Sequence, residues 1–221
     1  MAPTSIDGTE ITGATIDGQD VSEITVDGET VFTAIPDSVV DNFEEADLSE
    51  YSNTGGFSVT SNTPVSDGVY SLKLINDGQA NRMISTSGLA NYPERGDTFR
   101  FNVQIIDDTA LPQTMFGVQD ANNFYQISID DRSDPGEFAF VKTIGGSRTR
   151  ITTDSVSFST GIWYLVEVEW TDPTITATLY DDSETQVAEL TADDTDFTSG
   201  GVGFRGGQFN DDQAWDNFLT T

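Results

Sequence analysis

Cysteine and histidine are both absent from the 221 residues. Their absence excludes disulfide frameworks, thiolate nucleophiles, imidazole general bases and Cys/His zinc sites. Any catalysis would have to run on carboxylates, hydroxyls or an oxygen-ligated metal. Positive charge is also scarce: Lys73, Lys142 and seven arginines stand against 38 Asp and Glu, a formal net charge of −29. A surface of that sign repels polyanions, so neither nucleic acid nor an anionic bilayer is expected as a partner. No run approaches the ~18 apolar residues of a membrane span. The N-terminal Met-Ala-Pro-Thr-Ser lacks the basic and apolar regions of a signal peptide, so synthesis in the cytoplasm without a signal peptide, and no membrane insertion, are expected. No segment shows a convincing helical period.

What is present is enough to fold: 36% hydrophobic and 10% aromatic residues set the chain apart from acidic disordered sequences. Asp outnumbers Glu by 26 to 12, and only two lysines occur, a balance that resembles haloarchaeal proteins. At molar salt the Debye length shrinks to ~3 Å, and a self-repelling surface then costs little. A salt-dependent fold is expected.

The first 34 residues repeat with a period of ten: Ser5-Ile-Asp-Gly-Thr-Glu-Ile, Thr15-Ile-Asp-Gly-Gln-Asp-Val, Thr25-Val-Asp-Gly-Glu-Thr-Val. Asp-Gly between β-branched residues is a hairpin signal, because a type I′ turn needs positive φ at both central positions. The repeat therefore predicts a β-meander over 1–35. Pairing Ile6 with Thr9 would place Ile6, Ile11, Ile16, Val21, Ile24, Val26 and Val31 on one apolar face. Such a face needs cover, which makes the segment a docking or oligomerisation module or, alternatively, an extra sheet folded onto the main domain. Residues 36–38, beginning with Pro36, form a linker.

From 39 to 221 the chain reads as short alternating strands with Gly, Asp and Asn turns, for example Phe99-Arg-Phe-Asn-Val-Gln-Ile and Tyr164-Leu-Val-Glu-Val-Glu-Trp. That pattern predicts an all-β antiparallel sandwich or jelly roll. The segments Val40-Asp-Asn-Phe-Glu-Glu-Ala-Asp-Leu-Ser-Glu-Tyr, Asp67-Gly-Val-Tyr-Ser-Leu-Lys-Leu, Gly161-Ile-Trp-Tyr-Leu-Val-Glu-Val-Glu-Trp and Ala214-Trp-Asp-Asn-Phe resemble laminin-G-like jelly rolls of the concanavalin A-like lectin/glucanase superfamily. The Asp-Gly leader resembles segments on surface proteins of haloarchaeal tailed viruses. Together these resemblances imply a structural protein on the exterior of a haloarchaeal virus particle, as a tail fibre, spike or head decoration, with a host-attachment, glycan-binding domain. They also imply a homo-oligomer, a trimer by analogy with fibres or a fivefold or sixfold ring on a head, joined to other virion proteins through residues 1–35.

The lectin-like resemblance brings the first and last strands side by side, with Phe43 and Phe218 in the core. Some relatives hold structural calcium near that junction, where Asp41, Glu44 and Asp216 offer oxygen ligands; ordinary solvated acids are the simpler reading, and no other cofactor is expected. On the outward positions, Arg100, Asn102 and Gln104 alternate with apolar neighbours, as do Gln126 and Asp130, and Arg205 follows Phe204. Planar amides and guanidinium groups offer bidentate hydrogen bonds to sugar hydroxyls and carboxylates. These six residues, with Trp215 as a stacking platform if it is not buried, are the candidate site for cell-surface glycans. The arginines are either paired structurally or kept for an anionic ligand. The superfamily also contains glycoside hydrolases, the alternative function. Glu167 and Glu169 lie ~6.6 Å apart on one strand face, compatible with acid/base chemistry. The hydrolase pattern Glu-apolar-Asp-apolar-Glu is incomplete, and solvent-facing acids are the simpler reading.

Overall fold

The computed structural model describes residues 39–61, 68–74, 81–206 and 212–221 in full and, before these, the backbone of the strand residues alone. The chain divides into two units, 1–37 and 38–220.

In the first unit β1 (Ser5–Ile6) pairs with β2 (Thr9–Glu10), β3 (Thr15–Ile16) with β4 (Gln19–Asp20), and β5 (Glu23–Val26) with β6 (Glu29–Thr33). The pairs Ile6↔Thr9, Ile16↔Gln19 and Val26↔Glu29 bracket each Asp-Gly, which is the register that a two-residue loop dictates. Among the described residues the ladders form three hairpins in series, one at each Asp-Gly. In the third hairpin the register shifts between Ile24 and Thr25, so Val31 has no Cα partner. The predicted apolar face concerns side chains, and Ile11 and Val21, outside the described residues.

The second unit is all-β, with no helix among the described residues. Its strands are β7 (Ser38–Asp41), β8 (Phe57–Thr60), β9 (Ser71–Leu74), β10 (Arg82–Ser85), β11 (Thr98–Ile105), β12 (Gln113–Asp120), β13 (Asn123–Asp130), β14 (Gly136–Ile144), β15 (Ser147–Val156), β16 (Trp163–Trp170), β17 (Thr174–Tyr180), β18 (Gln186–Asp193), β19 (Gly201–Arg205) and β20 (Gln213–Thr220). They form two antiparallel sheets. One runs β10-β19-β12-β13-β14-β15; the other runs β18-β17-β16-β11-β20-β9-β8, with β7 also pairing β20. Asp41 opposes Phe218 in that last pairing, so the first and last strands of the sandwich are adjacent.

The alternation seen in the sequence is the alternation of burial. Phe99, Phe101 and Val103 of β11, Tyr125, Ile127 and Ile129 of β13, and Val166, Val168 and Trp170 of β16 are all at most 2% exposed. Period-two side chains from facing sheets interdigitate in this way. Aromatic rings join the sheets, with Phe116 5.0 Å from Phe99 and 5.1 Å from Trp170, centroid to centroid. Each such buried ring contributes about 1.5–3 kcal/mol relative to an exposed one. Gly117 breaks the rhythm of β12: its φ is 58° and a Cβ there would lie 3.0 Å from the Trp170 ring. The ladders on both sides of β12 shift register at this point, as a bulge requires.

Candidate functional site

Because Tyr125, Ile127 and Ile129 point into the sandwich, Phe124, Gln126 and Ser128 must point to the opposite face of the six-stranded sheet. That face is recessed: Met115, Val118 and Phe124 are at most 1% exposed and, with Ile84 packed against them, form an apolar cluster separate from the main core. Beyond the Gly117 bulge, the β12–β13 hairpin ends at Ala121, whose carbonyl accepts a hydrogen bond from the Arg82 guanidinium of β10. The same guanidinium lies 5.9 Å from the Phe124 ring centroid, within cation–π range.

A groove of about 720 Å³ opens here, lined by Arg82, Arg148 and Arg205 with Asn53, Asn81 and Asn122. None of its lining side chains among the described residues is acidic, in a chain with 38 carboxylates. Neither the Arg148 nor the Arg205 guanidinium makes a hydrogen bond or ion pair among the described residues, although both backbones are paired in the sheet. Burial, then the neighbouring Arg148 and Arg82, hold the Arg205 guanidinium below its ordinary pKa. Desolvation, then Arg150 and Arg132, do the same to Arg148. Asp130 and Glu137 pull the Arg148 pKa the other way but are outweighed, and the described lining of the groove itself carries positive charge only.

Two further arginines of this face are paired. Arg132 Nε donates to Asp130 Oδ1 at 2.6 Å, and Arg150 lies 2.7 Å from Glu137. Deeper in the same face Gln126 is fully buried, yet neither its amide nitrogen nor its amide oxygen has a hydrogen-bond partner. Gln113, the Cα partner of Arg205, likewise has an unpartnered buried Oε1. A buried amide without partners costs about 1–3 kcal/mol.

The structure separates the residues expected to share one face. Gln126, Asp130 and Arg205 belong to the six-stranded sheet, with Asp130 held by Arg132. Arg100, Asn102 and Gln104 lie on β11 of the other sheet. There Arg100 opposes Glu167 across the ladder, and buried Gln104 donates to the Gly161 carbonyl at 2.9 Å. Alternation identifies the side of a strand; it does not identify the sheet. Trp215 is fully buried, donates from Nε1 to Thr114 Oγ1 at 3.1 Å, and meets Phe57 and Phe204 at 6.1 and 5.6 Å. It is a core residue and cannot be a stacking platform. Arg82, Arg148 and Asn122 were missed by sequence reasoning. Their one visible signal was Arg148-Thr-Arg150 beside the Gly145-Gly146 hairpin tip.

The suggested calcium ligands do not converge. Asp41 accepts from the Phe43 amide and the Tyr51 hydroxyl, each at 2.7 Å; Glu44 accepts from the Val69 and Tyr70 amides at 2.8 and 2.9 Å; buried Asp216 accepts from the Asn217 amide at 2.8 Å. Burial raises the Asp41 pKa despite the Tyr51 hydrogen bond. Among the described residues no three Asp or Glu cluster as a metal site would require. Glu167 and Glu169 face Arg100 and Thr98 of β11, on the sheet opposite the groove.

Residues 73–213 match the model of the SO2946-like C-terminal domain, well over half of the chain. The chain belongs to the SO2946-like family. No curated protein matches it in sequence. Solved structures share the fold of this SO2946-like domain. The carbohydrate-binding module CBM66 from Bacillus subtilis is 16% identical at a TM-score of 0.52, covering 75% of this chain and 94% of that one. The CBM2 module of Lactobacillus casei BL23 phage J-1 evolved Dit is 11% identical at 0.56, covering 83% and 95%. Xylan beta-1,4-xylosidase from Bacillus halodurans C-125 is 12% identical at 0.57, covering 87% of this chain but only 40% of the enzyme. At such identities the likeness is one of fold.

Proposed function

We propose that the SO2946-like sandwich is a non-catalytic glycan-binding domain on the exterior of a haloarchaeal virus particle, where it attaches the particle to host-surface glycans. The observation that carries the binding reading is the recessed face of the six-stranded sheet, where the Arg82, Arg148 and Arg205 guanidinium groups meet in a groove that lacks carboxylates among its described lining and two buried glutamines of the same face carry unpartnered amide atoms. Sugars are recognised by such planar hydrogen-bonding groups at short range. The virion reading draws support from the Asp-Gly leader and from the use of this fold as a module of a phage protein. Residues 1–35 would join the domain to its own copies and to other virion proteins.

Titration of the protein with neutral and acidic polysaccharides and with isolated host surface-layer glycoprotein, in molar salt, tests the proposal. Saturable binding without hydrolysis is expected. Turnover abolished by Glu167→Gln or Glu169→Gln would overturn it in favour of a glycoside hydrolase.

A further inference from the structure

Resting on the glycan-binding reading, we propose that the groove is an anion clamp: Arg205 and Arg148 grip a carboxylate or sulfate carried by an acidic sugar, and Arg82 closes its third side. The two gripping side chains come from opposite ends of the sheet, β19 next to the edge strand β10 and β15 at the other edge, yet both line one groove. Three cations share a groove whose described lining has no acidic side chain, with Asp130 and Glu137 acting on Arg148 from outside it, although carboxylates outnumber cations about fourfold in the chain. A randomly placed arginine on this protein would find an acid, as Arg132, Arg150 and Arg95 do. An anionic ligand supplies the missing charge, and its oxygens can accept two parallel N–H bonds from one guanidinium.

Gln126 and Gln113 supply an independent observation. Three buried amide atoms without partners lie on the same face, beside neighbours in the ladder that include Arg205. They offer both a donor and acceptors, the complement of a sugar hydroxyl, which both donates and accepts. Both side chains are buried and outside the groove's described lining, so a sugar hydroxyl reaches them only if they turn outward, and that contact is what would distinguish an acidic sugar from a bare anion. A nucleic acid would bring a long row of phosphates against a protein of net charge −29, whereas a single acidic sugar places one charge where the three arginines are. Chloride at molar concentration competes as a point charge but cannot form the paired, planar contact.

Calorimetric titration of the full chain in molar salt with oligogalacturonate and a sulfated galacto-oligosaccharide, each beside its methyl-esterified or desulfated form, separates the two sources of anion. At least one charged probe is expected to bind about tenfold more tightly than its neutral counterpart, and Arg205→Gln should remove that preference, since a charge-assisted contact is worth at least about a factor of ten. Arg148→Gln, on an exposed part of edge strand β15, should do the same with little risk to folding. Equal affinity for charged and neutral probes, or binding of neutral glycans alone, overturns the anion clamp and leaves glycan binding standing. Failure of every glycan, neutral or charged, overturns both.

Discussion

Lys142 shows at the level of single residues how rare cations are used for structure in this protein. It reaches Asp194 and, at 2.5 Å, Asp196, while Asp194 also accepts from the Tyr125 hydroxyl. The tyrosine oxygen in turn accepts from the Phe197 amide at 3.1 Å. Four side chains thus tie the turn after β18 to β13 and β14. Burial raises the Asp194 pKa, but the bonds from Lys142 and Tyr125 outweigh it, and the carboxyl lies below its ordinary range. A depressed carboxylate contributes stability that is present above its unfolded pKa of ~3.9 and is lost as pH falls through the lower folded value. Asp194→Asn should therefore lose about 1–3 kcal/mol near neutral pH, and the loss should shrink as the solution is acidified below the carboxylate range. Denaturant titrations of both proteins across that range check the convergence; a pH-independent difference would mean that the amide fails for packing reasons. Arg205 and Arg148 are the contrast: among the described residues neither guanidinium forms an ion pair, and Asp130 and Glu137 act on Arg148 without reaching it.

Each element of the sandwich is a strand whose two sides have different tasks, and the bulge at Gly117 changes the geometry of one of them. The leader hairpins are a different kind of element, short ladders of two to four residue pairs. A two-stranded hairpin is marginal in water, so three in series require either contacts outside themselves or a tolerance for opening. The proposed self-association through 1–35 would meet that requirement, and the sandwich has its own core without them. Sedimentation of the full chain and of a chain starting at Pro36 is expected to show an oligomer and a folded monomer respectively. The same mass-state for both would move the assembly surface to the sandwich.

For the molecule as a whole, a net charge of −29 means that compactness works against long-range repulsion, which dissolved salt screens. The sandwich is expected to hold native circular dichroism in molar salt and to lose it after dialysis into dilute buffer. Retention of the native spectrum in dilute buffer would show that the core alone, with its two apolar clusters, outweighs the repulsion. The same balance bears on the proposed glycan binding: the bulk field would not draw in a negatively charged surface, so any such recognition would rest on contact chemistry.

Strand identity, the all-β class, the Asp-Gly hairpins and the inward aromatic residues were all legible in sequence, because period-two alternation and turn chemistry are local properties written in adjacent residues. Local pattern also showed that Gln126 and Arg205 point away from the core. It could not say that Arg100 belongs to the other sheet, since sheet membership depends on pairings between residues far apart in the chain. Trp215 remained undecided for the same reason: the rings of Phe57 and Phe204 that bury it come from distant strands. The groove existed only once the fold was complete. Arg82, Arg148 and Arg205 are separated by more than fifty residues at each step, and only the assembly of β10, β15 and β19 into one sheet brings their charges together.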